Sequence, residues 1–319
     1  MNVVADVKST SSNNHPRTMK SRLLLFVRLV VLVVLYFVCF ATVSAALFQL
    51  PAEQSTPSEG NPALALLVVS CLNTIILSYI ILRSRWAGWK LICAIFLMLF
   101  GVTTLMPQIE TAYFLTRLPP GMLPRIFMAG AITAALFSML AVLVLGKRKQ
   151  VVPDKEGSSQ LKMPIGEWVW KQAVIAVAYV ILYFTFGYFI AWKSPAVRAY
   201  YGGGDPGSFL AQMNSVLRET PWLLPLQVVR AMLWTALAVL VIGQMKGRWR
   251  EIGLVVGLLF AIPSAQLLIP NPFMPADVRM AHLVETASSN FLFGWLVVWV
   301  LFFKRRKKFP HFARSAMFI

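Results

Sequence analysis

The sequence predicts an all-α, polytopic transmembrane bundle of about eight helices, and three observations carry that expectation. The first is composition: 58% of the 319 residues are hydrophobic and only 13% charged, about half the charged share of a soluble domain. The second is that the charges cluster, leaving apolar runs near 20 residues, each long enough to cross ~30 Å of hydrocarbon at 1.5 Å per helical residue. The third is that Lys and Arg alternate from loop to loop. Runs so long and unalternating exclude a barrel, and in lipid only helices and closed barrels satisfy their own backbone.

The expected spans, in order, are Leu23–Phe48, Pro62–Leu82, Leu91–Pro107, Ile126–Leu145, Trp170–Trp192, Trp222–Ile242, Ile252–Ile269 and Leu283–Phe303. Segments 1–22, 83–90, 146–171, 243–251 and 304–319 hold 22 of the 30 Lys and Arg. The intervening segments 49–61, 108–125, 193–221 and 270–282 hold six, and Arg28 and Arg230 lie within spans. The positive-inside bias then puts both termini in the cytoplasm of a multi-pass cell-membrane protein. Trp86, Trp89, Trp168, Trp170 and Trp249 mark the cytoplasmic interface, Trp192 and Trp222 the other.

The first run resembles a signal peptide in having small residues at Val43-Ser44-Ala45. It is too long for a signal core and carries Arg28, so cleavage is not expected. Arg28 is close enough to the cytoplasmic end to snorkel. The net charge of +18 sits at span ends, which points to anionic lipid headgroups at the cytoplasmic face rather than to nucleic acid. Cys39, Cys71 and Cys93 all fall in apolar runs, so neither a disulfide framework nor a metal spacing is read from them, and no cofactor is expected.

The domain order expected is a basic tail (1–22), four helices (23–146), a cytoplasmic linker (147–169), four more helices (170–303) and a second basic tail (304–319). Linker composition is solvated, with Gly, Ser, Pro and mixed charge. Aligning 62–102 with 222–262 at an offset of 160 gives nine identities in 41 positions, Trp89-Lys90 matching Trp249-Arg250. Two parallel halves related by an axis along the membrane normal follow as an expectation. In that register Ser70 takes the place of Arg230.

Ionisable groups inside spans cost about 2.5–3.5 kcal/mol near the bilayer centre, so they need a partner or a wet cavity. The last span carries Arg279, His282, Glu285, Thr286 and Ser289 on one helix face, with Asn290 beside them. Arg230, with Gln227 one turn above, lies in the sixth span, and Glu110, beside Gln108 and Thr111, closes the third. All share the extracytoplasmic half. The expected substrate-binding residues are therefore Arg230, Glu285, His282, Glu110, Arg279 and Asn290, lining one pocket with Arg230 paired to Glu285 or Glu110.

Such a pocket suits binding or transport of a small polar or anionic solute. An intramembrane enzyme acting on a lipid-linked substrate and a non-catalytic scaffold are the alternatives. No G-x-S-x-G or H-E-x-x-H is present, and His282-x-x-Glu285 alone is a weak metal signal. In the 193–221 loop, Tyr200 to Gly207 reads as a turn before a short interfacial helix at Ser208–Leu217. The topology has a direct check. A fluorescent reporter that matures only in the reducing cytoplasm should glow when fused to the carboxyl end; a dark but intact fusion reverses every side assignment.

Overall fold

A computed structural model describes residues 15–48, 60–114, 118–149, 161–205 and 207–303. The N-terminal tail up to residue 14, the C-terminal tail from 304 and the linker core at 150–160 lie outside the described residues. Eight helices are long and apolar enough to cross a membrane: Met19–Leu47, Pro62–Arg83, Gly88–Phe114, Met122–Val144, Ile165–Ala191, Leu223–Gln244, Trp249–Leu268 and Ala276–Phe302. No strand is present among the described residues. The chain is an all-α, multi-pass integral membrane protein.

The helices are α1 (His15–Leu47), α2 (Pro62–Arg83), α3 (Gly88–Phe100), α4 (Met106–Phe114), α5 (Met122–Val144), α6 (Ile165–Phe186), α7 (Pro195–Tyr201), α8 (Phe209–Glu219), α9 (Leu223–Gln244), α10 (Trp249–Ala261) and α11 (Ala276–Phe302). Local chemistry explains their starts. Asn61 caps α2 by accepting from the Ala63 and Leu64 amides at 3.0 and 3.2 Å, with Pro62 in the first turn. Ser208 caps α8, which matches the expected interfacial helix to within two residues. α7 was not read from the sequence.

The third and eighth spans exceed their expected lengths the most. The third does not stop at Pro107: a π-turn over Gly101–Leu105 joins α3 to α4, and the Met106 amide bonds back to the Gly101 carbonyl. Such a widened turn makes room for a proline ring that a regular turn would reject. The eighth begins at Ala276, after Pro275 and with Asp277 in the first turn, where the helix dipole favours an acid. Arg279 and His282 are thus helical residues, not loop residues. The seventh span, conversely, gives up its α-geometry at Ile262, where Pro263 opens a 3-10 stretch, Ile262–Leu268.

Residues 84–88, 145–149, 161 and 244–248 gather at one end, the basic end. The two sets of four spans correspond in arrangement. The first packs on the second and fourth, as the fifth does on the sixth and eighth; the third packs on the fourth as the seventh on the eighth. Across the sets, α2 meets α10 and α3 meets α9. Helix bounds recur at a spacing of 161: Pro62–Arg83 with Leu223–Gln244, and Gly88–Phe100 with Trp249–Ala261. Buried positions agree, since Leu66, Val69, Ser70, Asn73 and Thr74 recur as Gln227, Arg230, Ala231, Trp234 and Thr235.

This register is one residue away from the offset of 160 at which the sequence identities fall. Leu and Val are common enough in spans to match without geometric equivalence. Val69, not Ser70, therefore stands where Arg230 does. The same spacing pairs Ser84 with Met245, and these two form an isolated antiparallel bridge. The Arg85 amide donates to the Gln244 carbonyl at 2.7 Å and the Lys246 amide to the Arg83 carbonyl at 2.9 Å. A local twofold axis through the bridge interchanges these two bonds.

Further ties secure the basic end. Arg83 grips Glu251 with two bonds of 2.9 and 3.1 Å, and Tyr79 donates to the same carboxylate at 2.7 Å. Ser84 donates to the Gln244 side chain at 3.1 Å. Lys147 reaches the Ser84 carbonyl at 3.2 Å; burial and the nearby Lys246 pull its ammonium pKa below the ordinary value. Gly88 sits at φ +56°, and a Cβ there would lie 2.8 Å from the Arg148 carbonyl oxygen.

α10 and α11 approach most closely. A Cβ on Gly294 would meet Gly257 Cα and the Val256 carbonyl oxygen, each at 2.8 Å, so this crossing is a small-residue contact of the kind that substitutes for hydrophobic drive in lipid. Replacing Gly294 by Leu should destabilise the bundle by about 1–3 kcal/mol, the usual cost of overpacking, read as easier unfolding in mixed detergent micelles. Unchanged stability would show that this crossing is looser than described.

Candidate functional site

The polar residues singled out in the sequence divide into three groups. Arg230, on α9, is 5% exposed and lies ~10 Å along the helix from its start at Leu223. Its guanidinium forms an ion pair with Glu110 of α4 and donates to Gln227 Oε1 at 2.9 Å. The rings of Tyr179 and Tyr183, one turn apart on α6, stand 5.8 and 6.0 Å from it. A guanidinium suits this setting, since its planar fork is weakly hydrated and tolerates aromatic faces. The π-turn before α4 helps set the face that Glu110 presents, and the pair joins the two sets of four spans.

His282 and Glu285 form the second element. On α11 they lie three residues apart, with His282 Nδ1 2.7 Å from Glu285 Oε2 and both side chains largely buried. A carboxylate accepts, so Nδ1 carries the proton and Nε2 is left without a partner. Tyr201, from α7, packs edge-on to the imidazole at 5.8 Å. Its hydroxyl is held well above its ordinary pKa by burial first, then by Tyr200, Glu110 and Glu285. The charges of both carboxylates thus bear on one phenol. Gly187 opens the π-turn of the fifth span, and a Cβ there would touch Glu285 Oε1 at 3.4 Å.

Arg230, Glu110, His282 and Glu285 accordingly gather around Tyr179, Tyr183 and Tyr201. Arg279 and Asn290 do not join them. Arg279 is buried and donates to the Ile269 carbonyl at 2.6 Å, bracing the connection before α11. Asn290 is half-buried and makes no side-chain hydrogen bond among the described residues. Thr286 bonds back to the His282 carbonyl and Ser289 to that of Thr286, so the hydroxyls of the stripe serve their own helix. Ser70 and Asn73 do likewise on α2. Asp205 accepts from the Gly207 amide at 2.9 Å, a turn bond only.

Two cavities lie apart from the cluster. One, about 510 Å³, is an apolar groove where α4 meets α9, beside the stacked rings of Tyr113 and Trp222. The other, about 300 Å³, lies among α1, α3, α4, α5 and the stretch after α10. Around the cluster, buried donors remain unmatched: Arg230 Nε and Gln227 Nε2 have no partner. Among the described residues, no three His, Cys, Asp or Glu side chains gather closely enough to hold a metal ion.

The tyrosines and Gly187 were not picked out from sequence. The only available signal was the i, i+4 spacing of Tyr179 and Tyr183 in a span rich in aromatic residues, which ordinary packing explains equally well.

Removing one partner of a buried pair leaves the other charge uncompensated, at a cost of about 3–5 kcal/mol where both are fully buried. Glu110 retains 30% of its side-chain exposure, so Glu110→Gln should cost about 3 kcal/mol at most, and Arg230→Met with Glu110→Gln together should cost less than the two singles summed. A double-mutant cycle on detergent unfolding reads the coupling; additive losses would show the two side chains to be energetically independent. No protein-family model matches the chain, and neither a curated protein nor a solved structure is significantly similar to it.

Proposed function

We propose that this integral membrane protein binds or transports a small polar solute carrying hydrogen-bond acceptors, carboxylates included, at the Arg230–Glu110–Glu285–His282 cluster. By the Lys/Arg pattern this cluster belongs to the extracytoplasmic half of the bilayer. The carrying observation is the pair of orphaned donors, Arg230 Nε and Gln227 Nε2, buried beside an ion pair. Unmatched N–H groups in a low-dielectric interior are costly, and an acceptor arriving from solution would relieve them. A solute carboxylate has the same two-oxygen geometry as Glu110 and can take its place on the guanidinium.

Exchange of that kind suits a moving protein. The far end of the interface between the two sets of spans is tied by Arg230–Glu110, and the basic end by Arg83–Glu251. Releasing the first while keeping the second opens the cluster to one side only, as alternating access requires. The scaffold reading draws on a different observation, that the charged groups of the cluster are paired with one another. His282 and Glu285 suit proton exchange, but the neighbouring hydroxyls of Thr286 and Ser289 bond to carbonyls of their own helix, which leaves the enzyme reading without an activated nucleophile among the described residues.

Transport has a direct measurement. Reconstituted vesicles should take up a radiolabelled small carboxylate faster than its neutral amide. Arg230→Gln should lower that uptake about tenfold or more, the loss of one strong charge-assisted contact, and Glu285→Gln should lower it by releasing the imidazole that the carboxylate holds, with the fold intact by circular dichroism in both. Equal uptake of acid and amide, or unchanged rates in both variants, would remove the solute reading and leave the scaffold.

A further inference from the structure

We propose that the cavity among α1, α3, α4, α5 and the stretch after α10 is a separate binding site, for a small uncharged molecule with an apolar body and hydroxyl or carbonyl oxygens. Its volume of about 300 Å³ falls at the lower end of the range for small-molecule pockets. Tyr36 and Phe40 of α1 supply aromatic faces, and none of the 16 lining residues bears a formal charge.

The polar lining is what distinguishes this cavity from a packing defect. Ser44, Thr104, Gln108, Thr133 and Gln266 line it, and none of these side chains has a hydrogen-bond partner among the described residues. The Gln108 Oε1 atom is fully buried as well. Several hydroxyls inside spans bond back to their own helix, as Thr103 does to the Leu99 carbonyl at 2.6 Å and Thr235 to the Ala231 carbonyl at 2.7 Å. Thr104 and Thr133 do not. Ser44 of α1, Thr104 of the π-turn, Thr133 of α5 and Gln266 of the 3-10 stretch therefore line one space with uncharged donors and acceptors, and in lipid each unmatched group costs free energy.

Correspondence between the two sets of spans sharpens the chemistry. Buried Met122, Phe137, Ser138, Ala141, Val142 and Leu145 recur 156 residues later as Val278, Phe293, Gly294, Val297, Val298 and Leu301. In that register two apolar residues of the cavity, Ile126 and Ala129, answer the His282 and Glu285 of the charged cluster. At the spacing of 161, Val69 stands for Arg230. Tyr36 meets Phe137 at 4.9 Å as Tyr179 meets Phe293 at 4.7 Å. The site rests on its own lining and stands whether or not the charged cluster carries a solute.

The test places a thiol on either wall, Ser44→Cys on α1 or Thr133→Cys on α5, in a background of Cys39→Ala, Cys71→Ala and Cys93→Ala. N-ethylmaleimide labelling is followed with three isosteres as probes: benzyl alcohol, benzoate and benzylammonium. The alcohol should slow labelling at both positions, saturably and by about fivefold or more once well above its Kd, while the two ions leave it unchanged. A neutral lipid headgroup offers the same oxygens, so vesicles containing diacylglycerol form a second arm; protection there, without added alcohol, assigns the site to a lipid rather than to a free solute. Equal protection by the charged isosteres would overturn the proposal. So would labelling that neither neutral probe slows, the result of a cavity holding only water, and so would failure of both thiols to react.

Discussion

A buried guanidinium is the constraint on which the far half of this bundle turns. Arg230 cannot stay charged among hydrocarbon without a counter-charge, and its own helix supplies only Gln227. The answering carboxylate comes from Glu110, on a helix of the other set of spans. Satisfying one side chain thus draws α4 to α9 and sets Tyr179 and Tyr183 against the cation. Low dielectric works both ways here: it strengthens the completed pair and penalises any donor left over. The orphaned Nε of Arg230 and Nε2 of Gln227 show that the penalty is only partly relieved, which is a common condition of sites that receive something.

Much of the fold was legible because the bilayer imposes it. Length and apolarity alone located all eight spans, since a ~30 Å slab admits few other solutions. Their ends were less legible, because helices continue past the hydrocarbon edge wherever capping permits. Pro107 reads as a terminator in sequence, yet the π-turn at Gly101–Leu105 carries the helix through it to Glu110. The residue spacing between the two sets was off by one, because identities among Leu and Val report composition rather than position. Burial, which follows the helix face, gives the register that the Ser84–Met245 bridge obeys.

The site was legible in part for a similar reason. Charge in an apolar run is conspicuous, so Arg230, Glu110, Glu285 and His282 stood out, and the pairing of Arg230 with Glu110 was one of two anticipated. Arg279 stood out equally but serves a backbone carbonyl, because a cation at a helix start is as useful for closing a loop as for binding a ligand. Nothing in the sequence marks Tyr36, Thr104 or Thr133 as cavity-lining. Their significance is what they fail to touch, and an empty space leaves no residue signature.

The close contact of Gly257 with Gly294 has a mechanical consequence. With backbones that near, α10 and α11 can neither slide nor tilt independently, so they behave as a single stiff plank. One tip of that plank holds Glu251, moored by Arg83 and Tyr79. The opposite tip holds His282 and Glu285. A push on the imidazole–carboxylate couple is therefore felt about 30 Å away, at the roots of the molecule, as leverage on its anchorage.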